Sequence, residues 1–505
     1  MIGMIDIAKT RIFLHARWRA GAGQIFFWHI AIPAFVLQDL WYNSLIDEEG
    51  KGDAMNNGKK KILAALSGTV IGVGAAFFLF FPQAAEQAET KLLPPLINLV
   101  ESTLEKPVSY SPLLSWGKDT QAVMYEFELF ASPGEKHLLF HTKKVFTNHY
   151  NPPLKRVAGR YLGRKEPLYW RVRSLGFDGE PVSGWSKSVP LYTDPSLPEL
   201  DHPVPLVDYG KGKGQTLLYP VYNWAALNGA ASYVVEIYRG REDLVKEGKF
   251  APAETLTTEN SEVYDDKPRI GTFCWRVRAK DRNGDWLGEW SEFKSFSTEP
   301  SRNFEYAVLG DSISHGGGHY SFSPADFEFS WLSYLDFDAV NLSQSGDLSR
   351  TTRDRFLKDV LPFHPKYLLV FTGTNSLRAG EDPQEVIDDL EAIKQMSLSH
   401  GIRPIFLTLP PINPQSILHV FQEGSAEDWQ ERFETVNDYI RGQAYIDTAS
   451  AFVCPDGVLP VELALDGLHP DVDGKRIIGD CVNQQIRKAR AEADAQLAAY
   501  EAENK

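Results

Sequence analysis

Three kinds of hydrophobic pattern follow one another along this chain. From Ile62 to Phe81 an apolar run carries no charged residue, about the 20 residues a helix needs to cross a bilayer. Between residues 104 and 298 apolar and polar positions alternate, as in Tyr233-Val-Val-Glu-Ile-Tyr and Trp275-Arg-Val-Arg, with Gly, Pro and Asp between the stretches. Every second side chain there would face a core, which predicts short antiparallel strands. After Arg302 short apolar runs alternate with helical segments. Tyr306-Ala-Val-Leu, Asp338-Ala-Val, Tyr367-Leu-Leu-Val-Phe, Pro404-Ile-Phe-Leu-Thr and Tyr445-Ile read as buried strands. One helix between them is fully punctuated. Asp382 caps it, Pro383 takes its first turn, Glu385 completes a capping box, Val386, Leu390 and Ile393 share a face, and Gly401 ends it. Strand and helix alternation predicts an α/β domain with a parallel sheet, in which ligands bind beyond the C-terminal strand ends.

Charge flanking the apolar run sets a topology. Lys59, Lys60 and Lys61 precede it and Glu86 and Glu89 follow it, so the positive-inside rule places residues 1–61 in the cytoplasm and everything after residue 82 outside it. The run is longer than the apolar region of a cleaved signal, and Pro82-Gln83-Ala84-Ala85 offers no clean cleavage site. An uncleaved anchor over residues 62–82 is therefore expected. Ile25 to Leu37 is apolar but too short to span, and reads as an interfacial or buried segment. A spanning hairpin and a translation start at Met55 are the alternatives. Asn483 to Lys505, rich in Ala, Arg, Glu and Gln, reads as an exposed helical tail.

The alternating region repeats itself. Leu168-Tyr-Trp-Arg-Val-Arg-Ser followed by Gly184-Trp-Ser returns 105 residues on as Phe273-Cys-Trp-Arg-Val-Arg-Ala followed by Glu289-Trp-Ser. Trp116, Tyr125 and Glu128 match Trp224, Tyr233 and Glu236 at an offset of 108. Two copies of one antiparallel sandwich are thus predicted. At these residues the chain resembles fibronectin type III domains, with a polar insertion around His137 to Asn151 that the pattern does not foresee. Such modules imply spacing or binding; the spacer reading is favoured, with sugar stacking on exposed aromatics as the other. Asp194 to Pro205 and Thr298 to Ser301 mark the linkers.

Composition removes several functions. The formal charge of -15 argues against nucleic acid as a partner, because neutralising phosphates needs a basic face. Cys274, Cys454 and Cys481 form no CxxC pair, so a zinc site is not expected. They read as small buried thiols, with one bridge between Cys454 and Cys481 left open.

The chemistry-bearing residues stand after the predicted strands. Gly310-Asp311-Ser312 follows the first, Asn341-Leu-Ser-Gln-Ser-Gly346 the second, Gly373-Thr-Asn375-Ser the third, and Asp466-Gly-Leu-His469-Pro lies near the end. A serine hydroxyl becomes a nucleophile when an imidazole takes its proton and a carboxylate orients that imidazole. Asp466 and His469 can do this from one loop. The N–H groups of Ser312 and Gly346 and the amide of Asn375 could receive the oxyanion. In this order the blocks resemble the SGNH/GDSL hydrolase family over residues 303–490, a flavodoxin-like parallel-sheet domain. The resemblance implies Ser312 as nucleophile, His469 as base, Asp466 as its orienter, Gly346 and Asn375 in the oxyanion hole, and no metal or cofactor. Ser376 departs from the family's Asp after the asparagine, which questions the support of Asn375. No GxSxG, HExxH or GxxxxGK[ST] competes. His315, His319, His364 and His400 read as turn or surface histidines.

The expected architecture is multidomain: residues 1–61, a transmembrane helix at 62–82, a linker at 83–103, sandwiches at 104–197 and 198–299, the hydrolase domain at 303–490 and a tail at 491–505. The expected function is a membrane-anchored extracytoplasmic esterase acting on an ester substrate such as acylated polysaccharide. A polysaccharide acyltransferase, a lysophospholipase and a non-catalytic adhesion scaffold are the alternatives. All candidate catalytic groups lie beyond residue 303, so this segment is expected to act alone.

Overall fold

The computed structural model describes residues 11–19, 25–33 and 92–504, apart from 249 and 453. Strands β1 (Arg11–Arg19) and β2 (Ile25–Pro33) pair antiparallel, so most of the apolar segment from Ile25 is extended backbone. The candidate span 62–82 lies outside the described residues. No helix among the described residues is long and apolar enough to cross a membrane.

The alternating region folds as two all-β modules. In the first, β3 (Leu114–Ser115) pairs with β6 (His149–Tyr150), and β4 (Met124–Ser132) stands between β5 (Lys136–Val145) and β7 (Leu168–Leu175), with β8 (Val189–Leu191) beyond β7. The polar insertion is thus β5 and β6. As an edge strand β5 is exposed at most positions, so no apolar alternation advertises it. Helix α1 (Leu154–Ala158) follows. In the second module β9 (Val204–Pro205), β10 (Val221–Ala225) and β13 (Glu262–Tyr264) form one sheet. The other holds β11 (Ser232–Arg239), β12 (Glu254–Thr258), β14 (Gly271–Lys280), β15 (Trp286–Leu287) and β16 (Lys294–Thr298). Helix α2 (Glu242–Glu247) joins β11 to β12.

The repeated residues do the same work twice. Trp116 and Trp170 fill one core and Trp224 and Trp275 the other, all fully buried. The Trp of each Trp-Ser pair instead lies against arginine, Trp185 at 4.2 Å from Arg171 and Trp290 at 4.3 Å from Arg276. The serine closes a two-bond bridge to the central strand: Ser186 and Ser291 donate their N–H to Val172 and Val277 at 2.8 Å and accept N–H from the same residues at 3.0 Å.

The third region is a parallel sheet in the order β18-β17-β19-β20-β21, comprising β17 (Tyr306–Gly310), β18 (Ala339–Asn341), β19 (Tyr367–Phe371), β20 (Arg403–Leu407) and β21 (Tyr445–Ile446). Its connections carry α3 (Ser312–His315), α4 (Ser349–Asp354), α5 (Phe356–Asp359), α6 (Thr374–Arg378), α7 (Pro383–Ser399), α8 (Pro414–Phe421) and α9 (Trp429–Arg441). The strands are buried almost throughout, as in a doubly covered parallel sheet. The final helix α10 (Val472–Glu503) is 32 residues long and no loose tail. Ala489, Ala493 and Leu497 are buried, and Asp494 accepts from Tyr367 Oη at 3.0 Å. Small Ala side chains let it lie close to the sheet, which composition alone reads as polar. Cys274, Cys454 and Cys481 are free thiols.

The sandwiches are not detached spacers. Residues 216–218 run beside β18, the end strand of the sheet order: Asn341 N–H donates to Thr216 O at 2.9 Å and Leu218 N–H to Asn341 O at 2.8 Å. Leu218 and Tyr219 belong to the core of the parallel sheet, at 0% and 2% exposure, and Tyr219 Oη donates to buried Asp359 at 2.6 Å. The first module reaches the same region. His319 Nε2 lies 3.2 Å from Thr120 O, and Lys118 pairs with Glu328 at 2.7 Å. Burying two such side chains contributes about 3–6 kcal/mol, a large share of a domain's typical stability of roughly 5–15 kcal/mol. Residues 303–505 expressed alone are therefore expected to lose most activity and cooperative melting relative to residues 92–505, measured on nitrophenyl acetate and by near-UV circular dichroism. Full activity of the short segment would restore the spacer reading.

Candidate active site

The nucleophile candidate sits where β17 ends. Gly310 is obligatory there, because a Cβ would meet Phe371 O of the neighbouring strand at 2.2 Å. Asp311 then caps α3 by accepting from Ile313 N at 3.0 Å, which places Ser312 at the first position of the helix and at the sheet's C-terminal end. Burial pushes the Asp311 carboxyl up to about 7, against the Ile313 hydrogen bond, with Asp347 adding to the rise. Lys475, fully buried, donates to Ile313 O at 2.7 Å. Burial draws its ammonium down to about 7, opposed by Asp311, Asp471 and Asp466.

The structure brings the three predicted residues together. His469 Nε2 lies 2.9 Å from Ser312 Oγ, and His469 Nδ1 lies 2.8 Å from Asp466 Oδ2. Asp466 Oδ1 also accepts the N–H groups of Leu468 at 2.8 Å and His469 at 2.7 Å. Burial alone would raise this carboxyl, but His469 and the two backbone donors outweigh it and hold it below its ordinary value. A carboxylate accepts only, so Nδ1 carries the proton and Nε2 presents its lone pair to Ser312. The imidazole is one-fifth exposed while Asp466 is fully buried.

Gly346 and Asn375 lie in the segments that follow β18 and β19, the two strands on either side of β17. Gly346 has φ +87, a left-handed turn that other residues adopt at a cost. Asn375 Nδ2 donates to Asp347 O at 3.0 Å, and its amide carries a second hydrogen. Ser376 supplies the support that the missing Asp left in question. Its Oγ accepts from Ser349 N at 3.1 Å, and Ser349 Oγ donates to Asp389 at 2.7 Å, which ties α6 to α4 and α7.

Two of the histidines are buried, not at the surface. His315 is 2% exposed and His319 0%, because the end of α3 is covered by the second sandwich and the loop after it by the first, which no local pattern announces. His364 stands in a turn with φ +43 and His400 is exposed at the end of α7. The first sandwich also reaches the rim. Phe177, in the turn after β7, lies edge-on to His319 at 5.7 Å and to exposed Tyr320 at 6.3 Å. Its neighbour Asp178 is 3.4 Å from His419 of α8, and Phe421 of that helix lies edge-on to His469 at 6.1 Å. Only tertiary packing assembles these residues.

A parallel sheet with a serine, an imidazole and a carboxylate linked in series at its C-terminal edge is the arrangement of an acyl-transferring serine enzyme. Residues 308–477 match the model of the GDSL-like Lipase/Acylhydrolase family. This part of the chain is a GDSL-like acylhydrolase domain, and the enzyme is a serine ester hydrolase. The "Uncharacterized lipoprotein YqeF" of Bacillus subtilis (strain 168) is 25% identical over 213 residues, covering 35% of this chain and 87% of that protein. Among solved structures, the lipase/acylhydrolase from Enterococcus faecalis is 19% identical with a TM-score of 0.30, covering 37% of this chain and 96% of that one. Axe2, an acetylxylan esterase from Geobacillus stearothermophilus, is 18% identical with a TM-score of 0.28, covering 36% and 93%.

Proposed function

We propose that this protein is a membrane-anchored, extracytoplasmic esterase that removes acyl groups, acetyl foremost, from a polysaccharide. The observation that carries the catalytic reading is the unbroken hydrogen-bonded series Ser312–His469–Asp466. Ser312 Oγ attacks the ester carbonyl while Nε2 of His469 takes its proton, and Asp466 balances the charge that develops on the imidazole. The N–H groups of Ser312 and Gly346 and the Asn375 amide receive the oxyanion. His469 then gives that proton to the departing sugar oxygen, which leaves as the free hydroxyl as the tetrahedral intermediate collapses to the acyl-serine. Water, activated by the same imidazole, attacks the acyl-serine and releases the acid.

The polysaccharide reading is supported by Phe421 beside His469 and by the pair of Phe177 and exposed Tyr320 next to His319, since aromatic faces suit the apolar faces of sugar rings. The two β modules, at 104–197 and 198–299, are of fibronectin type III kind in this reading, and residues 62–82 are the anchor. Purified protein is expected to release acetate from nitrophenyl acetate and from acetylated polysaccharide, and a fluorophosphonate is expected to label Ser312. Release from lysophospholipid but not from polymer would replace the deacetylase with a lipase, and transfer to added sugar in preference to water would replace it with an acyltransferase. Absence of both turnover and labelling would leave a non-catalytic scaffold. The anchor has its own check: a reporter fused after residue 100 is expected to be active only outside the cytoplasm, and cytoplasmic activity would refute the topology.

A further inference from the structure

The loop that carries Gly346 is held from outside the hydrolase domain. His315, the last residue of α3, has one ring nitrogen on each side of a junction. Its Nε2 lies 2.6 Å from Tyr219 O of the second sandwich. A carbonyl only accepts, so Nε2 carries the proton. Its Nδ1 lies 3.1 Å from Ser345 N, which only donates, and 2.8 Å from Ser345 Oγ. Nδ1 is therefore the lone-pair side, and one neutral tautomer satisfies every partner. Burial keeps the ring neutral, drawing it down to about 4 against the Tyr219 hydrogen bond.

Ser345 precedes Gly346 and Asp347 follows it, and the second flank leads back to the same tyrosine. Arg355 Nε donates to Asp347 Oδ2 at 2.5 Å, Arg355 Nη1 to Asp359 Oδ2 at 3.0 Å, and Tyr219 Oη to Asp359 Oδ2 at 2.6 Å. Arg355 Nη2 also donates to Gly310 O at 2.9 Å, two residues before the serine. We propose that Tyr219 of the second sandwich clamps both flanks of Gly346, through His315 on one side and the Asp359–Arg355–Asp347 series on the other, and so positions the oxyanion donor relative to Ser312. His315 and Tyr219 are positioning residues for the reaction. An apolar core residue of similar size would fill the space, but it would leave the Gly346 turn free to tilt.

This inference rests on the reading of Gly346 as an oxyanion donor, and the experiment separates the two. In the full chain, His315→Leu keeps the volume and removes the hydrogen bonds of both ring nitrogens, His315→Gln keeps a donor and an acceptor, and Tyr219→Phe keeps the carbonyl and removes only the hydroxyl. On nitrophenyl acetate, His315→Leu is expected to lower kcat about 10²-fold, the cost of an ångström-scale misplacement, with KM within about twofold of wild type. Affinity for phenylboronic acid, whose tetrahedral adduct with Ser312 places an oxygen in the hole, falls by the same factor as kcat/KM, because both read transition-state binding. His315→Gln restores most of both, and Tyr219→Phe loses about tenfold of each, a part of the two-armed effect. Kinetics are normalised to the folded fraction found by thermal melting. Wild-type kcat and boronate affinity in His315→Leu and Tyr219→Phe would overturn the clamp. So would losses that vanish on normalisation, or a fall in kcat with boronate affinity untouched. If His315→Leu does not fold, Tyr219→Phe and His315→Gln decide by the same readouts. A wild type that neither turns over ester nor takes the fluorophosphonate would instead refute the hydrolase reading on which the clamp depends.

Discussion

Ser312→Ala abolishes ester turnover, lowering kcat by about 10⁶-fold, as removal of the nucleophile does where serine and imidazole act as a unit. The residue is partly exposed at the start of α3, and the turn that presents it is fixed by Gly310 and by the Asp311 cap. The melting temperature is therefore expected to stay at the wild-type value while activity and fluorophosphonate labelling disappear. His469→Ala is expected to cost as much, and the double variant no more than either single one, since the serine has no other base within hydrogen-bonding distance among the described residues. Rates on nitrophenyl acetate for the three variants, with melting curves beside them, check this. Retained turnover in Ser312→Ala, with the fold intact, would end the acyl-serine mechanism.

Asp466→Asn is expected to lower kcat by about 10⁴-fold with little change in KM, through the tautomer of His469 and not through loss of shape. Oδ1 of Asp466 accepts two backbone N–H groups, from Leu468 and His469. In the variant that position must remain the amide oxygen, so the amide nitrogen takes the place of Oδ2 and points its hydrogens at His469 Nδ1. The imidazole then carries its proton on Nε2, facing Ser312 Oγ, and cannot accept the serine proton. An Asp466→Asn enzyme with near-wild-type kcat would show that another group orients the imidazole. Among the described residues no other side chain is given a hydrogen bond to His469 Nδ1 beside the 2.8 Å contact of Asp466.

Both effects concern residues that stand in the sequence as short blocks, and that is why they were legible there. Gly310-Asp311-Ser312 and Asp466-Gly-Leu-His469 are local motifs whose geometry is closed within a few residues. The first block carries its own strand end and is placed once β17 is recognised by its apolar run, while the second lies between β21 and α10 and is recognised by its own spacing. The punctuation of α7 was equally local: Asp382 caps it through Gln384 N, and Gly401 takes φ +71 just beyond it. The support of Asn375 was not legible. Ser376 gains its partners Ser349 and Asp389 from other helices, and the family departure at that position could be resolved only in three dimensions.

The same distinction separates the two readings of the sandwiches. Their strands, their repeat and their core tryptophans follow from a two-residue period and from matching blocks 105 and 108 residues apart. Their attachment to the catalytic sheet does not, because Thr216, Leu218 and Tyr219 make it with backbone groups and with a tyrosine hydroxyl that no periodicity marks. By itself the sequence determined, within the described residues, the succession of sandwich and parallel-sheet layers and which serine, histidine and carboxylate meet, since each depends on local conformation and side-chain chemistry. Only the tertiary structure decided the burial of His315 and His319, the packing of the final helix, and the seating of both sandwiches around the site. Those depend on which distant surfaces bury one another, and a free energy of contact between residues a hundred or more positions apart leaves no trace in the local pattern of either.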